Sequence, residues 1–316
     1  MTTSWGVRLL RKPGQPEHVT FLELFFDLVF VFALTRVSQR LVEDITSQRH
    51  IVMTEAGETL LILLTLWMVW LVTALITDLY DPEQTPIQLL VVATMFASLV
   101  MAVAVPTAFG GRGPAFAGAY VAIHLGRGLF LVPALRGHPA QRRAARVLFW
   151  FSVSAVPWIV GALFPEGVIR GVLWATAITL DYAAQTFRLP VPRLGRPPAA
   201  ELPVVAEHLS ERYRQFFIVA LGELVLVIGI TSSSSNLGPA GAGAFAVSFV
   251  NTVLFWRIYI YRAGELLPAA IATARLPGRL ALWLSFAHLI MLTGIVAAAA
   301  GFELTIAHPD GTNDSA

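Results

Sequence analysis

The chain has 316 residues, of which 56% are hydrophobic and 13% charged, with a net charge of +2 and a mean hydropathy of +0.69. A soluble domain carries about 25% charged residues, so this composition excludes an ordinary soluble protein and indicates a polytopic membrane protein. Cysteine is absent, which excludes disulfides and Cys-ligated metals; Lys12 is the sole lysine and most arginines lie in loops, which excludes a nucleic-acid partner, since that would gather cations on one aromatic-rich face.

Residues 1–19 are polar and basic and read as a cytoplasmic N-terminal segment. No small-residue cleavage site ends the apolar run that follows, so an uncleaved first span is expected. About 20 apolar residues cross the hydrocarbon core. Nine segments reach that length: 21–42, 58–80, 87–108, 115–135, 144–164, 168–187, 208–231, 241–262 and 280–303. The expected fold is all-α, a transmembrane helix bundle of about nine spanning helices over residues 20–304. Pro and Gly clusters such as Asp81-Pro82, Gly137-His138-Pro139 and Pro277-Gly278 mark the turns. A Pro-rich linker at 189–206 divides a six-helix part (20–188) from a three-helix part (207–304). Ser232 to Ser235 with Gly238 to Gly243 reads as a flexible loop, and 305–316 as a disordered tail. Thirteen Arg and Lys fall on the side of the N-terminus and four on the other. The positive-inside rule then puts the N-terminus in the cytoplasm and, with nine spans, the C-terminus outside.

Charged groups inside spans are rare because each costs roughly 2.5–3.5 kcal/mol on insertion scales. The first span carries Glu23 and Asp27, four residues apart and so on one helix face. The seventh carries Glu223 near mid-membrane, after Gly222, a residue expected to allow close helix approach. The start of the same span, Glu207 to Arg214, reads either as a solvated amphipathic turn or as part of a site. Asp181 on span six is a fourth acid. These four carboxylates are the candidates for binding an ion or a proton. Arg127, Arg257 and Arg212, with His208, His124 and His288, are candidate charge partners. Buried charges persist chiefly when paired, so the same set also fits ion pairs that merely dock the helices. The lone histidines His124 and His288 fit hydrogen-bonded bundle residues, although imidazole titrates near neutrality. No phosphate loop, no zinc-protease or di-iron motif and no nucleophile elbow occurs, so neither cofactor nor metal is expected.

Three stretches carry a family resemblance. Thr20 to Leu34 (TFLELFFDLVFVFAL) closely resembles the first-helix signature of the bacterial low temperature requirement A family. Glu207 to Gly229 resembles its second signature, and His288 to Glu303 with Ala307-His308-Pro309 a third. The resemblance implies a multi-pass bacterial plasma-membrane protein with Glu23, Asp27, Glu223 and His288 in signature positions, and further helices after the His-Pro element in other members. It supplies no reaction. Phe26-Asp27-Leu-Val-Phe30 is also similar, over this short stretch, to the Phe-Ser-Asp helix of a family of potassium channels built from six-helix repeats. Three functions stay open: a transporter or channel for an ion, proton or small solute; an intramembrane enzyme acting on a lipid or lipid-linked substrate; and a structural membrane protein for cold adaptation. The lipid bilayer is the expected partner in all three.

Overall fold

In the computed structural model the described residues are 4–11, 18–47, 52–164, 167–192, 194–195, 206–234, 238–274 and 277–309. Among them every regular element is helical. The order is α1 (Ser4–Arg8), α2 (Phe21–Ser47), α3 (Val52–Leu79), α4 (Thr85–Ala104), α5 (Gly113–Ala134), α6 (Ala140–Leu163), α7 (Val168–Thr186), α8 (Ala206–Ser234), α9 (Pro239–Ile258), α10 (Glu265–Thr273) and α11 (Pro277–Ala307). Each of the nine expected segments has its own long helix. Seven helices are long and apolar enough to cross a membrane by length and composition. The other two, α2 and α7, are 27 and 19 residues long, but carry buried charge: Glu23, Asp27 and Arg40 on α2, Arg170 and Asp181 on α7.

Several boundaries differ from expectation: α2 runs on to Ser47 and α3 begins at Val52. Ser232 to Ser234 are helical rather than loop. Ser233 Oγ donates to the Ile230 carbonyl at 2.8 Å and Ser234 Oγ to that of Thr231 at 3.0 Å, so both hydroxyls bond back onto the last turns of the helix. Gly241 and Gly243 likewise lie inside α9, which Pro239 opens in its first turn. Helix α11 reaches Ala307, so 305–307 of the expected tail are helical. Lys12, most of the Pro-rich linker, Ser235 and residues 310–316 lie outside the described residues.

Helix α2 sits at the centre, packed against α3, α4, α8 and α11. Helices α4 to α7 follow one another as neighbours, and α8 packs on α9 and α11. Helix α3 is the most enclosed candidate span, 83% buried over its apolar window, against 17% for α9. That contrast divides core from periphery: Trp67 and Trp70 of α3 are fully enclosed, whereas Phe96 and Ile290 point outward at 71% and 73% exposure. Large apolar side chains exposed on helix after helix are what a hydrocarbon surround requires.

Close helix approach occurs where a glycine faces a bulky side chain. A Cβ at Gly161 would lie 2.7 Å from Trp174 Cδ1 between α6 and α7, and one at Gly128 2.6 Å from Leu148 between α5 and α6. Gly222, expected to serve this purpose, meets nothing within 4 Å among the described residues; the close contact of α8 is made by side chains instead. Gly161→Ala should therefore destabilise the protein by about 1–3 kcal/mol through overpacking, read as a lowered thermal midpoint in detergent, while Gly222→Ala should not. Arg170 fastens the same corner. Its guanidinium donates to the carbonyls of Phe109, Gly110 and Phe164, each at 2.6 Å, and lies 5.7 Å from the Trp174 ring centre.

Candidate functional site

Helix α2 begins with a capping arrangement. Thr20 precedes the first turn and Glu23 is its third residue, so the carboxylate folds back on the helix start. Glu23 Oε2 accepts from the Thr20 N–H at 2.8 Å and from its hydroxyl at 2.9 Å. The other oxygen, Oε1, is then aimed at α8, where it lies 3.0 Å from His208 Nε2 and 3.7 Å from Arg212 Nε. One turn further along α2, Asp27 receives both arms of the Arg212 guanidinium, at 2.8 and 2.9 Å. Such a two-point fork is the strong, orientation-fixing form of an Arg–carboxylate pair. Trp70 of α3 donates its indole N–H to Asp27 Oδ1 at 2.9 Å, and its ring lies 5.6 Å below the guanidinium carbon. The spacing of four on each helix makes this register: Glu23 and Asp27 on α2 face His208 and Arg212 on α8.

His208 has a second carboxylate. Its Nδ1 lies 3.1 Å from Asp78 Oδ1 at the end of α3. An imidazole with 0% exposure thus joins Glu23 (1%) to Asp78 (2%) across three helices. Arg11, from the segment before α2, places Nη2 3.3 Å from His208 Nε2 and donates to the Thr77 carbonyl at 2.9 Å. The Glu207 to Arg214 stretch is therefore not simply a solvated helix start: His208 and Arg212 are fully buried, while Glu207 and Arg214 are exposed.

The other expected residues lie elsewhere. Glu223, 0% exposed, sits deeper between α8 and α2, where it accepts hydrogen bonds from Ser38 Oγ at 2.6 Å and from the Thr35 hydroxyl. No ion pair to it forms among the described residues. Asp181 of α7 accepts from the Tyr120 hydroxyl at 2.8 Å. Arg127 is bonded to the hydroxyls of Thr73 and Thr94, with no carboxylate within 4 Å among the described residues, so it balances none of Asp27, Asp181 or Glu223. Arg257 faces outward on α9 and likewise forms no ion pair among those residues; it sits on the helix with the least buried window. His288 has its Nδ1 2.7 Å from the Leu284 carbonyl and its Nε2 2.8 Å from the Tyr259 hydroxyl, and stacks on Tyr213: a satisfied bundle histidine. His124 stacks on Phe151 at 3.8 Å. No group of three or more metal-ligating side chains occurs among the described residues.

Sequence reasoning missed Asp78, Arg11 and the indole of Trp70. Asp78 ends an apolar run just before Tyr80-Asp81-Pro82, so it reads as the edge of a turn. Trp70 reads as packing, because nothing local marks an indole N–H as a carboxylate donor.

The α2 and α8 stretches that build this cluster are two of the three that carry the family resemblance. The family model described as bacterial low temperature requirement A protein matches residues 18–316. The chain belongs to this family. An uncharacterized protein of Rhizobium meliloti (strain 1021) is 39% identical over 305 residues, which is 95% of this chain and 73% of that protein. No solved structure matches the chain. Family membership and the apolar helices together make this a multi-pass membrane protein; Glu23, Asp27 and Glu223 lie inside the bundle rather than against its outer surface.

Proposed function

We propose that this protein is a proton-coupled transporter of the bacterial plasma membrane, with Glu23, His208 and Asp78 as its proton-carrying unit. The observation that supports this reading is the His208 ring, enclosed by protein with one carboxylate oxygen at each nitrogen, 3.0 and 3.1 Å away. Imidazole can take a proton at Nε2 and release another at Nδ1 within one ring, and ionisable chains of this kind carry protons in pumps and transporters. A proton on Glu23 would pass to Nε2, the Nδ1 proton would pass to Asp78, and the ring would return to its first state by reorientation or by proton return.

Asp27 takes a different part. Its charge is matched by the Arg212 fork, so it holds α2 to α8 and fixes the guanidinium beside Glu23. Arg11, Arg212 and Arg143 are positive charges that face the unit, Arg143 from the side of Asp78, and they offset its two carboxylates. With the N-terminus inside, as the distribution of Arg indicates, the unit lies toward the cytoplasmic face, near the ends of α3 and the starts of α2 and α8. The closed Asp27–Arg212 pair also supports a purely structural reading, in which all of these acids dock helices.

The two readings separate in proteoliposomes. Purified protein reconstituted with an internal pH-sensitive dye should move protons when a pH gradient is imposed, above the rate of protein-free vesicles. Folded, correctly inserted protein that leaves the proton leak at the protein-free rate would leave only the docking role.

A further inference from the structure

The ends of α3, α5 and α7 and the start of α6 enclose a cavity of about 70 Å³. By volume that is room for about five waters, or for one tetrahedral oxyanion. Arg127, Arg143, His124 and Gln185 contribute to its lining, with apolar side chains such as Ile76 and Leu131 around them. The polar groups are cationic or neutral, and the lining includes no carboxylate.

Their hydrogen bonding is incomplete in one direction. Thr73 and Thr94 hold the Nε and Nη2 side of the Arg127 guanidinium, whereas its Nη1 is buried without a partner among the described residues. Nη1 of Arg143 and both ring nitrogens of His124 are in the same condition. Arg127 is 4% exposed and His124 2%. A buried guanidinium without an opposing charge is strongly unfavourable, and so is a buried donor without an acceptor. The cost disappears if an anion with several oxygens occupies the cavity. Arginine is the side chain whose planar fork matches phosphate oxygens in pairs.

We infer that this cavity binds a phosphate-type oxyanion, held by Arg127 and Arg143 with His124 and Gln185 as further hydrogen-bonding groups. The anion is either free phosphate or the phosphodiester of an anionic lipid whose headgroup reaches this end of the bundle. Arg127 and His124 lie outside the proton-carrying unit, Arg143 faces its Asp78, and binding is read without any flux, so either idea can fail alone.

The full-length protein in neutral maltoside micelles, heated with inorganic phosphate or with chloride at equal ionic strength, gives the test. A saturating specific anion should raise the unfolding midpoint by about 5 °C. A second arm replaces free phosphate with dioleoylphosphatidylglycerol doped into the micelles, against dioleoylphosphatidylcholine. A rise with phosphate that is absent in Arg127→Gln supports the site with a free anion; a rise with phosphatidylglycerol alone, again lost in Arg127→Gln, supports it with a lipid headgroup. Should Arg127→Gln fail to fold, Arg143→Gln, at the start of α6, must weaken binding at least tenfold. No rise in either arm, or an equal rise in the arginine variants, overturns the inference.

Discussion

An Asp27→Asn chain is expected to lose about 3–5 kcal/mol of stability and most of its folded yield. Arg212 has 0% exposure and Asp27 meets both of its outer nitrogens. An amide at position 27 keeps the size and one acceptor oxygen but removes the charge. The guanidinium then stays buried with only the Glu23 contact at 3.7 Å to oppose it. Breaking one partner of a buried pair is what makes such changes costly, whereas replacing both by apolar groups of similar volume is often neutral. Asp27→Leu combined with Arg212→Met should therefore recover much of the yield that either single change loses. Size-exclusion chromatography of detergent extracts measures this. If Asp27→Asn elutes and melts like the parent chain, the fork does not hold α2 to α8.

A His208→Gln chain should behave in the opposite way: folded, but unable to move protons. Glutamine can still donate to one neighbouring carboxylate and accept from Arg11, so the cluster keeps part of its hydrogen bonding. It cannot take up a proton at one atom and release one from another. The proton flux in the vesicle assay should fall about 100-fold, within the range by which a positioned acid–base group acts. Glu23→Gln should also remove the flux, and it should weaken the start of α2, because its oxygen serves Thr20 as well. A His208→Gln protein that folds and still carries protons at the parental rate would exclude His208 from the path.

Much of this architecture is legible in the chain because apolar runs of spanning length are a strong signal. The nine segments were separable by their Pro and Gly turns, and the acids of span one stood out against them. The facing of α2 and α8 was half legible: the four-residue spacing on each helix is visible, but a spacing shows which side chains share a face, not what lies opposite. Hence the sequence leaves Arg212 and His208 open between a solvated helix start and part of a site, and offers Arg257 as a partner it does not become. Asp78 was hidden by position. A carboxylate at the last turn of an apolar run looks interfacial, and only the tertiary fold brings His208, 130 residues away, against it. Gly222 shows the converse limit, since a small residue permits close approach but does not cause it. Gly128 and Gly161 carry the same local signal and do meet bulky neighbours.

The histidine itself can be observed. The protein has seven histidines, and nitrogen-15 labelling of them alone gives a countable set of ring signals, with His208 assigned by its loss in His208→Gln. As the pH is lowered the His208 signals should pass from a ring with one proton to a ring with two, and Glu23→Gln should shift the pH at which this happens. A ring that keeps one fixed tautomer throughout, indifferent to the charge at position 23, would contradict proton passage through His208.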